Sequence, residues 1–197
     1  MRTLASLLAL TLAALPTAAL AHTGAGDAHG LVHGFMHPVG GLDHVLAMVA
    51  VGVFAFVLGG RALWLVPLSF VGMMAVGFLL GIGRVDVPFV ELGIALSSVV
   101  IGGVAALGRP MPVIAAMALA GGFAIFHGFA HGAEMPVAAD GLAYALGFML
   151  ATALLHAAGI LASVLVARLA GKSGRAFAQA AGGLFAVGGA AVLAGWL

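Results

Sequence analysis

The chain has 197 residues, of which 64% are hydrophobic and 7% charged, and its formal net charge is +1. Water-soluble globular domains carry about 25% charged residues, so this composition excludes that class and is typical of an integral membrane protein. The sequence has no basic run, which argues against nucleic acid as a partner. It also has no cysteine, which excludes disulfides and thiolate metal sites.

Residues 1–21 have the pattern of a secretory signal peptide. Arg2 supplies a positive start, a short apolar core follows, and Ala19-Leu20-Ala21 matches a small-x-small cleavage site. The alternative is an uncleaved first transmembrane helix, but the core is short and Pro16 follows it. We therefore expect a mature chain that begins at His22.

A polar segment rich in glycine and histidine comes next, and residues 22–40 are interpreted as a periplasmic arm that leads into the first motif. We expect the part before His37 to be exposed, with little fixed structure. Three histidines spaced four residues apart would share one face of a helix, although the intervening glycines weaken a helix. The arm is either a metal-capturing device or a plain polar tail. The three histidines are His29, His33 and His37.

Six apolar segments occupy the rest of the chain, and each is near the roughly 20 residues that a bilayer requires. Short connections containing Gly, Pro and charged residues separate them, which favours antiparallel neighbours. Residues 41–197 are therefore predicted to form an all-α bundle of six transmembrane helices. The segments are 41–59, 62–82, 88–107, 112–131, 140–167 and 177–196.

The distribution of positive charge predicts the orientation of this bundle. If the mature amino terminus lies outside, the outer loops carry only Arg84, and the other basic residues after the signal peptide fall inside. This pattern predicts a multi-pass protein of the bacterial inner membrane with both mature termini outside. The inner basic residues are Arg61, Arg109, Arg168, Lys172 and Arg175.

Two groups of ionisable residues lie near the outer ends of the apolar segments. Ionisable side chains at membrane depth are costly and usually mark a site or a pathway. Members of the second group are spaced at i, i+4 and i+7, so they share one face of a helix. The first group is His37, Asp43 and His44, and the second is His127, His131 and Glu134.

These residue types are suited to a divalent transition-metal ion, because imidazole and carboxylate bind nickel, cobalt, zinc, copper and iron. Asp43 and His44 are adjacent, about 100° apart on a helix, so both can point at one ion only if the helix begins irregularly. Otherwise one binds the metal and the other supports it, as when a carboxylate fixes the tautomer of a ligating imidazole. The sequence leaves these roles open.

Two further ionisable residues have competing interpretations. Glu91 lies in the first turn of the third segment, where it is either part of the pathway or a partner for the helix dipole. His156 lies near the middle of the fifth segment, where it is either a pathway residue or a packing residue.

Three motifs resemble those of the HupE/UreJ family of nickel permeases and accessory proteins of hydrogenase and urease systems, and the similarity spans essentially the whole chain. The first motif is long and specific. The motifs are Phe35-Met36-His37-Pro38-x-x-Gly41-x-Asp43-His44, Phe126-His127-Gly128-x-Ala130-His131-Gly132-x-Glu134 and Ala151-Thr152-x-x-Leu155-His156-x-x-Gly159.

The resemblance implies secondary uptake of Ni²⁺, or Co²⁺, from the periplasm to the cytoplasm, with no permanently bound cofactor. It implies that the divalent ion and the lipid bilayer are the partners, and it leaves a homo-oligomer open. The metal-binding residues it implies are His37, Asp43, His44, His127, His131 and Glu134. From the residues themselves we expect His22, His33, Glu91 and His156 to be pathway or secondary residues.

An intramembrane metal enzyme is the main alternative. The histidines at 127 and 131, with another histidine and an acid, could hold a catalytic zinc or iron. Ser97-Ser98 offers a hydroxyl without a nucleophile motif. A bis-histidine haem protein is a third interpretation, but His156 has no evident partner at its depth. The sequence has no P-loop motif, so transport would draw on a gradient, the membrane potential or cytoplasmic trapping.

Overall fold

The computed structural model describes residues 30–137 and 139–196, so the signal peptide, His22 and His29 lie outside the described residues. The described residues form seven α-helices and a short 3-10 turn, with no strand among them, which confirms the all-α class. The elements are α1 (Gly30–Gly40), α2 (Leu42–Leu58), α3 (Ala62–Ile82), α4 (Val90–Leu107), α5 (Val113–Ala133), α6 (Gly141–Ala170), the turn Gly171–Ser173, and α7 (Gly174–Leu193).

Each of the six predicted apolar segments is a helix, α2 to α7, with ends shifted by a few residues. Helices α3, α4 and α5, and the region Gly141–Leu193 that contains α6 and α7, are long and apolar enough to cross a membrane. The bent pair of α1 and α2 would add one more crossing. The chain is therefore a multi-pass membrane protein built from packed helices.

The expectation of an exposed arm with little fixed structure is wrong for residues 30–36. These residues are helical, as part of α1, and α1 packs on α6. Gly30, Gly34 and Pro38 are buried on this contact. A Cβ atom at Gly34 would strike the backbone of Tyr144. The glycines that weaken an isolated helix thus allow α1 to lie directly on its neighbour, and this packing stabilises the helix.

Helices α1 and α2 meet at a bend of 84°. Gly41 forms the corner in an extended conformation, with φ −100° and ψ 120°. Pro38 lies near the end of α1. The first motif is therefore a corner, with His37 on one arm and Asp43 and His44 on the other.

Facing glycines bring three helix pairs into backbone contact. A Cβ atom at Gly81, for example, would lie 2.9 Å from the Cα atom of Gly132. In lipid, small residues at a crossing let backbones approach and gain van der Waals contact, which replaces the hydrophobic effect as the driving force. The facing pairs are Gly52 and Gly159 (α2 and α6), Gly81 and Gly132 (α3 and α5), and Gly102 and Gly182 (α4 and α7).

Large apolar side chains lie both between the helices and on the outer surface of the bundle. Phe54, Phe70 and Phe148 are fully buried between helices. Leu107 and Leu161, in contrast, are 67% and 65% exposed on the outer surface. An apolar exterior of this kind is what contact with lipid chains requires.

We predict that Gly77→Leu destabilises the bundle by at least about 1–3 kcal/mol, the usual cost of overpacking. The reason is that a Cβ atom at Gly77 would strike the backbone of Ile125 on α5. The measurement is the midpoint of thermal unfolding in detergent micelles, followed by circular dichroism.

Gly72→Leu is the matched control for this substitution. Gly72 is on the same helix and is exposed, and a Cβ atom added there would have open space around it, with no other atom within 4 Å. Its midpoint should stay close to that of the parent. Equal midpoints for the two variants would contradict the assigned packing of α3 on α5.

Candidate metal site

A cleft of about 530 Å³ lies between α1, the start of α2, the start of α4 and the end of α5. Its walls carry three imidazoles and three carboxylates contributed by α1, α2, α4 and the residue that follows α5. Such a concentration of ionisable groups in so apolar a protein indicates a site. The ionisable lining residues are His33, His37, Asp43, His44, Glu91 and Glu134.

Two buried imidazoles on α5 adjoin this cleft. The ring centroid of His44 lies 4.9 Å from that of His127 and 5.2 Å from that of His131. With metal–nitrogen bonds of about 2.1 Å, two imidazoles on one ion have ring centroids roughly 4.5–5.5 Å apart. The structure therefore brings the histidines of the first and second motifs together at a spacing that suits one metal ion.

Asp43 and His44 interact directly in the first turn of α2. The Oδ1 atom of Asp43 lies 3.2 Å from Nδ1 of His44, and a carboxylate beside a ring nitrogen favours the tautomer with the hydrogen on that nitrogen. The Nε2 atom of His44 is then the lone-pair nitrogen, and it is buried without a hydrogen-bond partner. This is the arrangement in which a carboxylate fixes the tautomer of a ligating imidazole.

His37 and Glu134 form the contact that links α1 to the end of α5. Nε2 of His37 donates to Oε2 of Glu134 at 3.0 Å. The ring of His37 also lies edge-on to that of His131, with 5.0 Å between centroids. The first and second motifs are therefore in contact at two places. His37 meets Glu134 and His131, and His44 meets His127 and His131.

His44, His127 and His131 form a histidine cluster, and several of its imidazole nitrogens are buried with no hydrogen-bond partner. A buried polar atom without a partner costs about 1–3 kcal/mol, so it needs an explanation. Both nitrogens of His131 are in this state, and the ring stacks on Phe148 with centroids 4.5 Å apart. The unpartnered nitrogens of the cluster are His44 Nε2, His127 Nδ1, His131 Nδ1 and His131 Nε2.

The donor set suits a borderline divalent ion, since neutral imidazole nitrogen with carboxylate oxygen binds Ni²⁺, Co²⁺ or Zn²⁺. Within residues 30–137 and 139–196, no three His, Asp or Glu side chains are already arranged to hold such an ion. Binding therefore requires some of the side chains around the cleft to move towards a common point.

The secondary residues proposed from the sequence occupy different places. His33 and Glu91 are exposed on the wall of the cleft, Glu91 in the first turn of α4 as expected. His156 is buried in α6 with both nitrogens unpartnered, and its ring lies against Phe70, 5.1 Å between centroids. The ring of Phe70 also contacts that of His127, at 5.6 Å. His22 lies outside the described residues.

Two neighbours of the histidines are not predicted from the sequence. Ser97 on α4 contacts Nε2 of His127 at 2.9 Å, and Tyr144 on α6 lies beside the ring of His37, 6.2 Å between centroids. A buried serine in an apolar segment is the sequence signal for the first contact. An aromatic residue in an apolar helix carries no comparable signal for the second.

Comparisons with known proteins agree with this architecture. The family described as HupE / UreJ protein matches residues 9–192. The chain is 45% identical to Protein HupE of Rhizobium leguminosarum bv. viciae over 187 residues, which cover 94% of this chain and 96% of that protein. No solved structure matches the chain. The chain belongs to the HupE/UreJ family, as its three motifs predict.

Proposed function

We propose that the chain is a permease that carries Ni²⁺, or Co²⁺, from the periplasm to the cytoplasm across the bacterial inner membrane. The metal would supply the metallocentres of hydrogenase or urease. The observation that carries this proposal is the set of buried, unpartnered imidazole nitrogens of His44, His127 and His131 beside an open acidic cleft. Membership of the HupE/UreJ family supports it.

The cleft is suited to the first step, capture of a hydrated dication. Asp43, Glu91 and Glu134 present carboxylates to the cleft, and these attract the ion and replace part of its water shell. The imidazoles of His44, His127 and His131 then supply nitrogen donors, for which Ni²⁺ and Co²⁺ have greater preference than Mg²⁺ or Ca²⁺. Carboxylates at the mouth and imidazoles below would select a transition metal from the more abundant alkaline-earth ions.

The inward step would take the ion past the deeper imidazole of His156. The ring of Phe70 separates His127 from His156 and contacts both. A dication that moves inward gains about 4.6 kcal/mol per 100 mV of membrane potential, twice the value for a single charge. Transport can therefore run without nucleotide hydrolysis, in keeping with a chain that has no P-loop motif.

We predict that His37→Gln, Asp43→Asn and His131→Gln each reduce the initial rate of Ni²⁺ uptake at least about tenfold, because each removes a group of the proposed site. The measurement is uptake of radiolabelled Ni²⁺ into proteoliposomes that hold equal amounts of each protein, with an inside-negative potential. Parent rates in all three variants would mean that the site is wrongly assigned.

Ser163→Ala is the control for these variants. Ser163 is a buried serine on α6 whose hydroxyl donates to the carbonyl of Gly159 at 2.8 Å, and it takes no part in the cleft. This variant should transport at the parent rate.

The alternative function has its own outcome. If the parent protein kept a stoichiometric metal after treatment with a chelator and catalysed no uptake, an intramembrane metal enzyme would replace the permease as the proposed function.

We predict that the affinity for Ni²⁺ falls at least about tenfold between pH 7.5 and pH 5.5. Only neutral imidazole binds a metal, so protons compete with Ni²⁺ increasingly as the pH falls. The measurement is equilibrium binding to the purified protein in micelles by isothermal titration calorimetry. An affinity that does not change with pH would contradict imidazole ligation.

A further inference from the structure

Ser97 is a fully buried polar residue on α4 that contacts one histidine of the cluster. Its Oγ atom lies 2.6 Å from the carbonyl oxygen of Ile94 and 2.9 Å from Nε2 of His127. Serine in an apolar helix commonly donates its hydroxyl to a carbonyl of the preceding turn. Here the same oxygen also faces an imidazole of another helix.

Ile94, Ser97 and His127 share these two contacts, and the chemistry of the three groups decides which atoms carry the hydrogens. A carbonyl oxygen only accepts, so the single hydroxyl proton of Ser97 is donated to Ile94, the shorter of its two contacts. The serine oxygen then has lone pairs for His127 but no proton for it. Nε2 of His127 must therefore carry the hydrogen, and Nδ1 is left as the lone-pair nitrogen, buried and without a partner.

We infer that Ser97 is a positioning residue of the metal site, which holds the His127 ring with Nε2–H on the serine oxygen and Nδ1 free for the ion. The inference deepens the proposed function, on which its metal-binding part rests. Ser97 then fixes the tautomer of His127 as Asp43 fixes that of His44. Ser97 does so from a different helix and with a neutral acceptor. The two supported rings leave opposite nitrogens without a hydrogen-bond partner, Nδ1 in His127 and Nε2 in His44.

A neutral acceptor suits the depth of this position. Ser97 and His127 are both fully buried in helices that can cross a membrane, where an unpaired carboxylate would be expensive. A hydroxyl anchored on its own helix backbone fixes the ring without adding charge. Asp43, which supports His44, is partly exposed beside the cleft, where a carboxylate is less costly.

The test is nitrogen-15 NMR of protein labelled at histidine, metal-free, in micelles at pH 8, with His127→Gln used to identify the signals of His127. We expect the parent to show protonated Nε2 and unprotonated Nδ1 at His127. Ser97→Ala should shift these signals and speed exchange of the Nε2 proton with water. It should also lower the affinity for Ni²⁺ by about 10–100-fold, as is usual when a supporting hydrogen bond is removed.

Two further variants separate this role from general packing. Ser97→Thr keeps the hydroxyl and should retain the Nε2–H signals of His127. Ser163→Ala removes another buried serine with an equivalent bond within its helix and should leave both the signals and the affinity unchanged. A loss that Ser163→Ala reproduced would be a packing effect and would overturn the inference.

The outcomes for Ser97 and for the metal site are distinguishable. A protonated Nδ1 at His127 in the parent, or parent signals or parent affinity in Ser97→Ala, would overturn the positioning role even if Ni²⁺ binds. Failure of the parent protein to bind Ni²⁺ would instead overturn the proposed function. The metal-free spectra would still decide whether Ser97 holds the His127 ring.

Discussion

Backbone contact at glycines is the constraint on which the rest of this structure depends. Gly128 and Gly132 press α5 onto α3, where any side chain would strike the backbone of the partner helix. His127 and His131 each precede one of these glycines, about 100° around the helix. Once the glycine face is seated on α3, the two imidazoles lie within the bundle, where both meet His44 of α2 and His131 also stacks on Phe148 of α6. The alternation of histidine and glycine in the second motif therefore encodes the orientation of the rings.

The same rule positions the first motif. Gly34 is buried against Tyr144 of α6, and Pro38 is also buried, and the residues that precede them, His33 and His37, are left facing the cleft. The bend at Gly41 then returns the chain towards α5, so that His44 meets the rings on that helix. The packing of small residues and the bend at Gly41 thus bring the residues of the site together. The polar contacts between these residues add to an arrangement that the helix packing sets.

This assembly carries an energetic cost that the packing must offset. Four imidazole nitrogens of His44, His127 and His131 are buried without partners, and each such atom costs about 1–3 kcal/mol. The tight glycine contacts supply van der Waals energy that holds the rings in place despite this cost. A metal ion that accepted one lone pair from each of the three rings would satisfy three of these nitrogens, which is the physical reason to regard the cluster as a binding site.

The sequence alone predicts the apolar segments that become α2 to α7 and the i, i+4 and i+7 spacing of His127, His131 and Glu134, and it leaves open whether Asp43 and His44 both bind the ion. Both predictions follow from hydrophobicity or from spacing within two helical turns. Only the tertiary structure decides that α1 is a helix, that His37 meets Glu134 across 97 residues, and that Ser97 meets His127 across 30. Such contacts depend on how separate helices pack, and helical periodicity contains no information about them.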